Sequence, residues 1–242
     1  MADDLAQRFR RARRDPGLTV LEGFHALKHA LRFGADLEIA VAVDPAQLEE
    51  LAAELAPDLA GGLAERVEPV DAGTLAELVP QAPRTGVVAI ARRPAVDVAA
   101  ALADLRPAPV VLLEQPRNMG NMGACVRVAA AADAAAVLTT GDNDPWHPDA
   151  VRGTAGLHYA LPVAAVEALP ASDRPLLAID PEGDDLLAER LPARAVLAFG
   201  TERHGLSAEL LERADARIAI PMRAGVSSLN LATAVAAVLF AR

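Results

Sequence analysis

Apolar residues along the chain recur with two spacings, one typical of helices and one typical of buried strands. Leu5, Phe9 and Ala12 fall at i, i+4 and i+7 among arginines, which predicts a helix over residues 3–14. Residues 110–114 begin with four consecutive apolar positions, as expected for a strand that is covered on both faces. The same criteria predict further helices over residues 23–33, 45–55, 72–78, 96–105, 123–132, 207–212 and 229–240, a helix or turn over 149–156, and strands over 37–43, 67–70, 86–91, 135–139, 176–179, 195–199 and 217–220.

Helices and strands alternate in both halves of the chain, and a proline-containing stretch separates the halves. Residues 92–109 include three prolines around a short Ala/Leu helix, which is typical of a linker. We therefore predict an α/β protein with two domains, residues 1–95 and residues 96–242. The second domain is expected to be a doubly wound parallel sheet, whose ligand site lies at the carboxyl ends of the strands.

Composition narrows the class of protein. Hydrophobic residues make up 52% of the chain but aromatic residues only 3%, which suits helices packed closely on a sheet. The sequence has no apolar run of about 18 residues, and its polar N-terminus lacks the apolar core of a signal peptide. The single cysteine, Cys125, excludes an internal disulfide and a cysteine-based metal cluster. We expect a cytoplasmic protein that binds neither a metal nor a membrane.

The net charge of −10 argues against a generally basic protein that coats RNA. Residues 1–34 nevertheless carry a net charge of +3, most of it from arginines in the first predicted helix. Any phosphate-binding surface must therefore be local. A basic arm that contacts nucleic acid and a simple solvated helix face both stay open.

Three polar motifs each follow an apolar strand of the second domain. They are EQPRNMGNMGACVR at residues 114–127, GTERHGLS at residues 200–207, and PMRAGVSSLN at residues 221–230. Because the carboxyl ends of parallel strands share one edge of a sheet, we expect the three motifs to form one ligand site.

Each motif alone is weak evidence for chemistry. Gly120 and Gly123 suit a tight turn into a helix that starts near Gly123, and Arg127 suits bidentate binding of phosphate. A plain glycine turn with a surface arginine explains the same residues. The second motif could be a strand-to-helix turn, and Ser227 or Ser228 could simply cap the last helix. The GxGxxG spacing of dinucleotide-binding oxidoreductases is absent, which argues against that class.

Taken together, the motifs resemble those of the TrmH-like (SpoU) branch of the SPOUT RNA methyltransferases. The matching positions are Asn121, Gly123, Ala124 and Arg127, then Gly200, Glu202 and Gly205, then Ile220, Pro221 and Met222, and finally Ser228, Leu229 and Asn230. Residues 21–27 and 85–90 more loosely resemble the ribosomal-protein-like substrate-binding domain of many members.

The resemblance implies a C-terminal trefoil knot, a homodimer, and transfer of a methyl group from S-adenosylmethionine to a ribose 2′-hydroxyl of RNA, ribosomal RNA more than transfer RNA. The catalytic residues that it implies are Asn121, Arg127, Glu202, Ser228 and Asn230. The residues that it implies for binding the methyl donor are Leu197, Gly200, Thr201, Ile220, Met222 and Leu229.

The chemistry of these side chains suggests roles for them. The guanidinium of Arg127 stays protonated in proteins, so it is better suited to hold a phosphate and stabilise alkoxide charge than to act as a general base. Asn121 would orient Arg127 or the ribose, Glu202 would order the site, and Ser228 with Asn230 would bind the nucleotide. A transfer RNA methyltransferase and a non-catalytic RNA-binding protein with the same fold remain as alternatives.

Overall fold

The computed structural model describes residues 2–188, 190–201 and 204–241. The helices are α1 (Ala2–Ala12), α2 (Phe24–Arg32), α3 (Pro45–Leu55), α4 (Ala72–Leu78), α5 (Val98–Ala103), α6 (Met119–Ala131), α7 (Pro148–Thr154), α8 (Ala208–Arg213) and α9 (Leu231–Ala241). The strands are β1 (Leu18–Glu22), β2 (Leu37–Ala42), β3 (Glu68–Pro69), β4 (Val87–Arg92), β5 (Val110–Leu113), β6 (Ala136–Thr139), β7 (Val163–Ala165), β8 (Leu176–Asp185), β9 (Val196–Phe199) and β10 (Ala216–Ala219).

The chain divides into two compact units. The first contains the residues up to 95 together with residues 146–160, and the second contains residues 96–145 together with residues from 161 onwards. The segment 146–160, which lies within the predicted domain 96–242, therefore packs in the first unit. The assignment of residues 1–95 to RNA binding and of residues 96–242 to catalysis stays a prediction.

The first unit is built on a sheet with strand order β1-β4-β2-β3. Strand β4 runs antiparallel to β1 and β2, and β3 runs parallel to β2. Helix α1 places Phe9, which is fully buried, against this sheet. Strand β1 is not among the strands that the sequence predicts. It is a five-residue strand between two glycines, Gly17 and Gly23, and its pairing with β4 is a non-local interaction that local patterns do not show.

A nearly buried carboxylate joins the segment 146–160 to the first unit. Glu22, at the end of β1, accepts hydrogen bonds from Arg13 and Arg152, each with an N–O distance of 2.6 Å. Gly156 lies so close to α2 that a Cβ there would overlap the backbone of Ala26. Both contacts fix the segment against its own unit.

The second unit is built on a parallel sheet with strand order β10-β8-β9-β5-β6-β7. This confirms the predicted α/β class with a parallel sheet. In register, Leu113 pairs with both Phe199 and Thr139, and Phe199 also pairs with Ile179. The strands β9, β5 and β6 therefore end at the same level, beside Ile179 of β8.

Two helices of this unit begin elsewhere than the sequence predicts. Helix α6 begins at Met119 rather than near Gly123, because the Asn118 side chain accepts the Asn121 N–H at 2.9 Å and caps the helix there. Helix α9 begins at Leu231 rather than at residue 229. Its capping acceptor is Asn230, whose Oδ1 accepts the Ala232 N–H at 3.0 Å, so a cap at Ser227 or Ser228 was the wrong prediction.

Two strands of this unit also differ from prediction. Strand β7 has only three residues and was not predicted. Strand β8 continues from residue 179 to Asp185 through a polar segment, because Asp184 and Asp185 pair with β10 after a shift in register. Pairing with β10 therefore extends the strand through residues whose polar character does not favour a strand.

A buried arginine fixes the amino-terminal edge of this sheet. Arg174 is 4% exposed, and its guanidinium donates to the carbonyl oxygens of Leu102, Ala108 and Asp104 at 2.7 Å each. These carbonyls lie in and just after α5. The guanidinium thus replaces the hydrogen bonds that the end of this short helix lacks.

We predict that Arg174→Met lowers the free energy of unfolding by about 3 kcal/mol, because it leaves buried carbonyls without donors. Urea unfolding followed by circular dichroism measures the change. Arg106→Ala is the control, since Arg106 is half-exposed and pairs with Asp104 and Asp133 at the surface, where ion pairs contribute little. Equal losses in the two variants would contradict the structural role of Arg174.

Candidate active site

The second and third motifs line a pocket of about 350 Å³ at the carboxyl edge of the parallel sheet. The first motif is joined to them by hydrogen bonds, from Asn230 to Asn121 and from Ser207 to Glu114. The second and third motifs supply much of the pocket wall, and the rest comes from residues 179–181 of β8 and from Phe199, Ile220, Leu231 and Ala234. Of the residues predicted for donor binding or catalysis, the pocket wall includes Gly200, Thr201, Ile220, Met222, Ser228 and Leu229. The convergence expected from the strand ends is thus present in the structure.

Leu197 is the predicted donor-site residue that lies elsewhere. It is fully buried within β9, where its backbone pairs with Val111 of β5 and Leu177 of β8. It therefore belongs to the sheet beneath the pocket rather than to the pocket wall.

At Gly200 the backbone lies very close to another backbone segment of the same loop. A Cβ at this position would overlap the backbone of Gly205 and Leu206. The loop folds back because Thr201 and Gly205 exchange backbone hydrogen bonds of 3.1 and 3.0 Å, and Thr201 Oγ1 accepts the His204 N–H at 3.1 Å. The glycine at 200 is required because no side chain fits there.

A hydrogen bond joins the first motif to the third. Asn230 donates from Nδ2 to Oδ1 of Asn121 with a distance of 2.9 Å. The same Asn230 caps α9 through its oxygen. One amide side chain therefore sets both the start of α9 and the position of α9 relative to α6.

Arg127 lies in the third turn of α6 and is exposed. It forms no ion pair with any carboxylate of residues 2–188, 190–201 and 204–241. Gly123 and Ala124 precede it by four and three residues on the same helix face, and side chains in helices lean toward the N-terminus. These small residues leave the N-terminal side of Arg127 uncrowded. Asn121 lies about 120° away around the helix.

Glu202 lies outside the described residues, so its predicted role stays a prediction. An acidic residue that the sequence did not single out is Asp180, which lines the pocket at the end of the apolar part of β8. Its Oδ1 accepts the Glu182 N–H at 2.9 Å. Its position directly after an apolar strand, at the same edge as the motifs, was the signal that could have identified it.

The described residues contain neither a metal-binding cluster nor a membrane-spanning helix. Residues 2–188, 190–201 and 204–241 include no group of three or more His, Cys, Asp or Glu side chains arranged to hold a metal ion. Among the same residues, every helix is too short or too polar to cross a membrane.

Comparison with known proteins identifies the second unit. The sequence profile described as the SpoU rRNA methylase family matches residues 108–240, which include all three motifs. The chain belongs to the SpoU rRNA methylase family. The family predicted from the motifs is confirmed, and with it the enzyme class, an RNA methyltransferase.

Individual relatives of this SpoU methylase agree with the assignment. An uncharacterised tRNA/rRNA methyltransferase of Mycobacterium bovis is 36% identical over 204 residues, covering 78% of this chain and 70% of the relative. A 23S rRNA uridine 2′-O-methyltransferase of Streptomyces viridochromogenes is 31% identical, covering 54% of this chain and 50% of the relative. The chain thus spans only about half the length of some curated relatives.

A solved structure extends the likeness to the whole chain. The AdoMet-bound rRNA methyltransferase of Sinorhizobium meliloti superposes with a TM-score of 0.77 at 26% identity, covering 99% of this chain and 92% of that protein. The likeness therefore includes the first unit of the SpoU methylase as well as the second.

We predict that Gly200→Ala lowers the free energy of unfolding of the SpoU methylase by about 3 kcal/mol, because a methyl group is forced against backbone that cannot give way. Gly205→Ala in the same loop is the matched control. Its Cβ would meet nothing within 4 Å, so it adds only the cost of a left-handed backbone, about 1 kcal/mol. Urea unfolding of both variants measures the difference, and equal losses would argue against the close approach.

Proposed function

We propose that this SpoU methylase transfers a methyl group from S-adenosylmethionine to a ribose 2′-hydroxyl of ribosomal RNA. The observation that carries the proposal is the Asn121–Asn230 hydrogen bond, which joins the start of the Arg127 helix to the segment that walls the pocket. The Sinorhizobium relative is named as AdoMet-bound, and the Streptomyces relative is named for 2′-O methylation of 23S rRNA. Both names support the same reaction.

The pocket is suited to the proposed methyl donor. Its volume of about 350 Å³ lies within the usual range for small-molecule sites. Ile220 and Leu229 offer apolar surface to an adenine ring, and Gly200 presents bare backbone. Asp180 adds a carboxylate, which suits a ligand that carries positive charge.

The side chains near the pocket can perform the rest of the reaction. S-adenosylmethionine supplies a methyl group that its sulfonium already activates. The enzyme must hold the 2′-oxygen in line with that methyl group and help its proton leave. Arg127 would bind the adjacent phosphate and stabilise negative charge on the oxygen, with Asn121 at the start of the same helix orienting the ribose. Ser228 and the segment that ends at Asn230 would fix the nucleotide.

We predict that Arg127→Ala lowers methyl transfer by at least about 100-fold, because a positioned charge at the reacting oxygen is lost. Affinity for S-adenosylhomocysteine is expected to stay within about twofold of wild type, because Arg127 is outside the donor pocket. Tritiated methyl transfer to separated RNA pools, with nucleoside mass spectrometry and calorimetry, measures both quantities.

Arg106→Ala serves as the control, since Arg106 is an exposed arginine that precedes β5 at the opposite edge of the sheet. Loss of donor binding in Arg127→Ala, with methyl transfer retained at saturating donor, would contradict the role of Arg127. Methylation of a base would overturn the reaction class. Transfer RNA is the second substrate candidate, because the Mycobacterium relative is named for both RNAs, and the separated pools distinguish the two.

We also propose that the C-terminal segment forms a trefoil knot. After β9, near the centre of the sheet, the chain runs to β10 beyond β8 and then returns to α9, which packs against α6. This path carries residues 220–230 back past the 200–207 loop, and the two line one pocket. A threaded chain requires such a return, so the path supports the proposal.

The first unit is proposed to bind the RNA substrate. Helix α1 exposes Arg8, Arg10 and Arg11, and Arg14 follows it on the surface. Charge complementarity between arginines and phosphates supports this role in a chain that is otherwise acidic.

A homodimer is the proposed assembly, and α9 supports it. This helix carries no charged residue, and helices that are apolar all round are normally buried. The helix packs on α6 and its Val235 and Val238 are fully buried, yet Phe240 is 65% exposed. A second copy would cover that exposed face.

We predict that Phe240→Glu shifts the protein from dimer to monomer, because a charge would then face an apolar interface. Sedimentation velocity over a range of protein concentrations measures the shift. Leu105→Glu is the control, since Leu105 is 80% exposed and lies outside α9. An unchanged dimer in Phe240→Glu would place the interface elsewhere.

A further inference from the structure

Glu114 holds both ends of the loop that forms one wall of the pocket. Its backbone N–H donates to the carbonyl oxygen of Phe199, at the start of the loop, with a distance of 2.8 Å. Its carboxylate accepts the N–H and the Oγ–H of Ser207, at the end of the loop, at 2.7 and 2.6 Å. Hydrogen bonds to a carboxylate are stronger than those between neutral groups. Glu114, the residue that follows β5, therefore sets the distance between the two ends of the loop.

The loop needs such a constraint. It contains Gly200 and Gly205, and glycine-containing segments lose more conformational entropy on ordering than other segments. Among its described residues, 200, 201 and 204–207, the closing contacts are the exchange of backbone hydrogen bonds between Thr201 and Gly205 and the contact of the His204 N–H with the Thr201 hydroxyl. The contacts of Glu114 fix the position of this turn relative to the sheet.

The residue after Glu114 is fixed by a contact with the chain that follows β6. The next residue, Gln115, has a left-handed backbone with φ of 46°, which is unfavourable for a residue with a side chain. Its N–H donates to Thr140 Oγ1 at 3.1 Å, so the residue that follows β6 holds the turn. Strained backbone persists only where surrounding contacts determine it, and it concentrates at functional sites. From this turn the chain runs directly to Asn118, the cap of α6.

We infer that Glu114 is a positioning residue that keeps the 200–207 loop in register with the start of α6. The loop carries Gly200 and Thr201 of the donor pocket, and α6 carries Asn121 and Arg127 of the RNA side. Glu114 thereby fixes the loop wall of the donor pocket. This inference rests on the proposed function, because the pocket is taken as the donor site.

The test compares Glu114→Ala and Glu114→Gln with wild type. Calorimetry gives the Kd for S-adenosylhomocysteine, steady-state assays give KM for the donor and kcat, and thermal unfolding gives the stability. The Ala variant loses both side-chain hydrogen bonds, so we expect Kd and KM to rise by about 10-fold. The Gln variant keeps one acceptor oxygen without the charge, and we expect a rise of about threefold. In both, kcat at saturating donor is expected to change by less than about twofold.

A matched control separates positioning from loss of a helix cap. Ser207 also caps α8, where its Oγ accepts the Leu210 N–H at 3.2 Å. Asp97 caps α5 of the same unit in the same way, accepting the Ala100 N–H at 2.9 Å. Asp97→Ala should lower the melting temperature without changing Kd or KM. Ser207→Ala combined with Glu114→Ala should raise Kd no further than Glu114→Ala alone, because the two side chains share one interaction.

The outcomes separate this inference from the proposed function. A wild-type protein that does not bind S-adenosylhomocysteine or methylate RNA would overturn the proposed function and this inference with it. Normal binding in the wild type with an unchanged Kd and KM in Glu114→Ala would overturn the inference alone. An equal rise in Kd for Asp97→Ala would do the same, because the effect would then be one of stability. If Glu114→Ala does not fold, the near-isosteric Gln variant decides by the same criteria.

Discussion

The in-register parallel pairing of β8, β9, β5 and β6 is the constraint on which the site depends. Because Phe199, Leu113 and Thr139 end their strands level with Ile179 of β8, the residues that follow them leave the sheet side by side. This alignment of the strand ends brings polar groups that are far apart in sequence within hydrogen-bonding distance of one another. A slip of one residue in any of these strands would turn its side chains to the opposite face and separate the loops.

Once the strand ends are aligned, short polar side chains and missing side chains complete the site. Asn118 and Asn230 cap the helices that leave the sheet edge, and Asn230 also bonds to Asn121. Gly200 allows two backbone segments to touch where any Cβ would overlap them. The pocket wall therefore combines bare backbone at Gly200 with apolar side chains such as Phe199 and Leu229. Leu197, two residues before Phe199, is buried in the sheet and is separate from this wall.

The sequence predicted the parallel sheet and the meeting of the three motifs well, because both follow from apolar runs ended by polar residues. It failed where an outcome depended on a distant partner. Strand β1 forms through pairing with β4, and the polar end of β8 forms through pairing with β10. The starts of α6 and α9 depend on which of several possible capping residues is used, and local sequence permits more than one. Glu114 was part of a motif but was assigned no role, because its partner Ser207 is 93 residues away.

Electrostatics in this chain must act locally. A protein with a net charge of −10 repels a polyanion at long range, so general attraction cannot supply its affinity for RNA. Many of its arginines are neutralised by carboxylates, as Arg13 and Arg152 are by Glu22 and as Arg194 is by Asp173. Arg127 differs, since it is exposed and unpaired with any carboxylate of the described residues. A guanidinium that pairs with no described carboxylate keeps its attraction for a phosphate placed beside it. In an acidic protein such attraction is confined to the few exposed arginines, and the proposed function uses it at Arg127 and along α1.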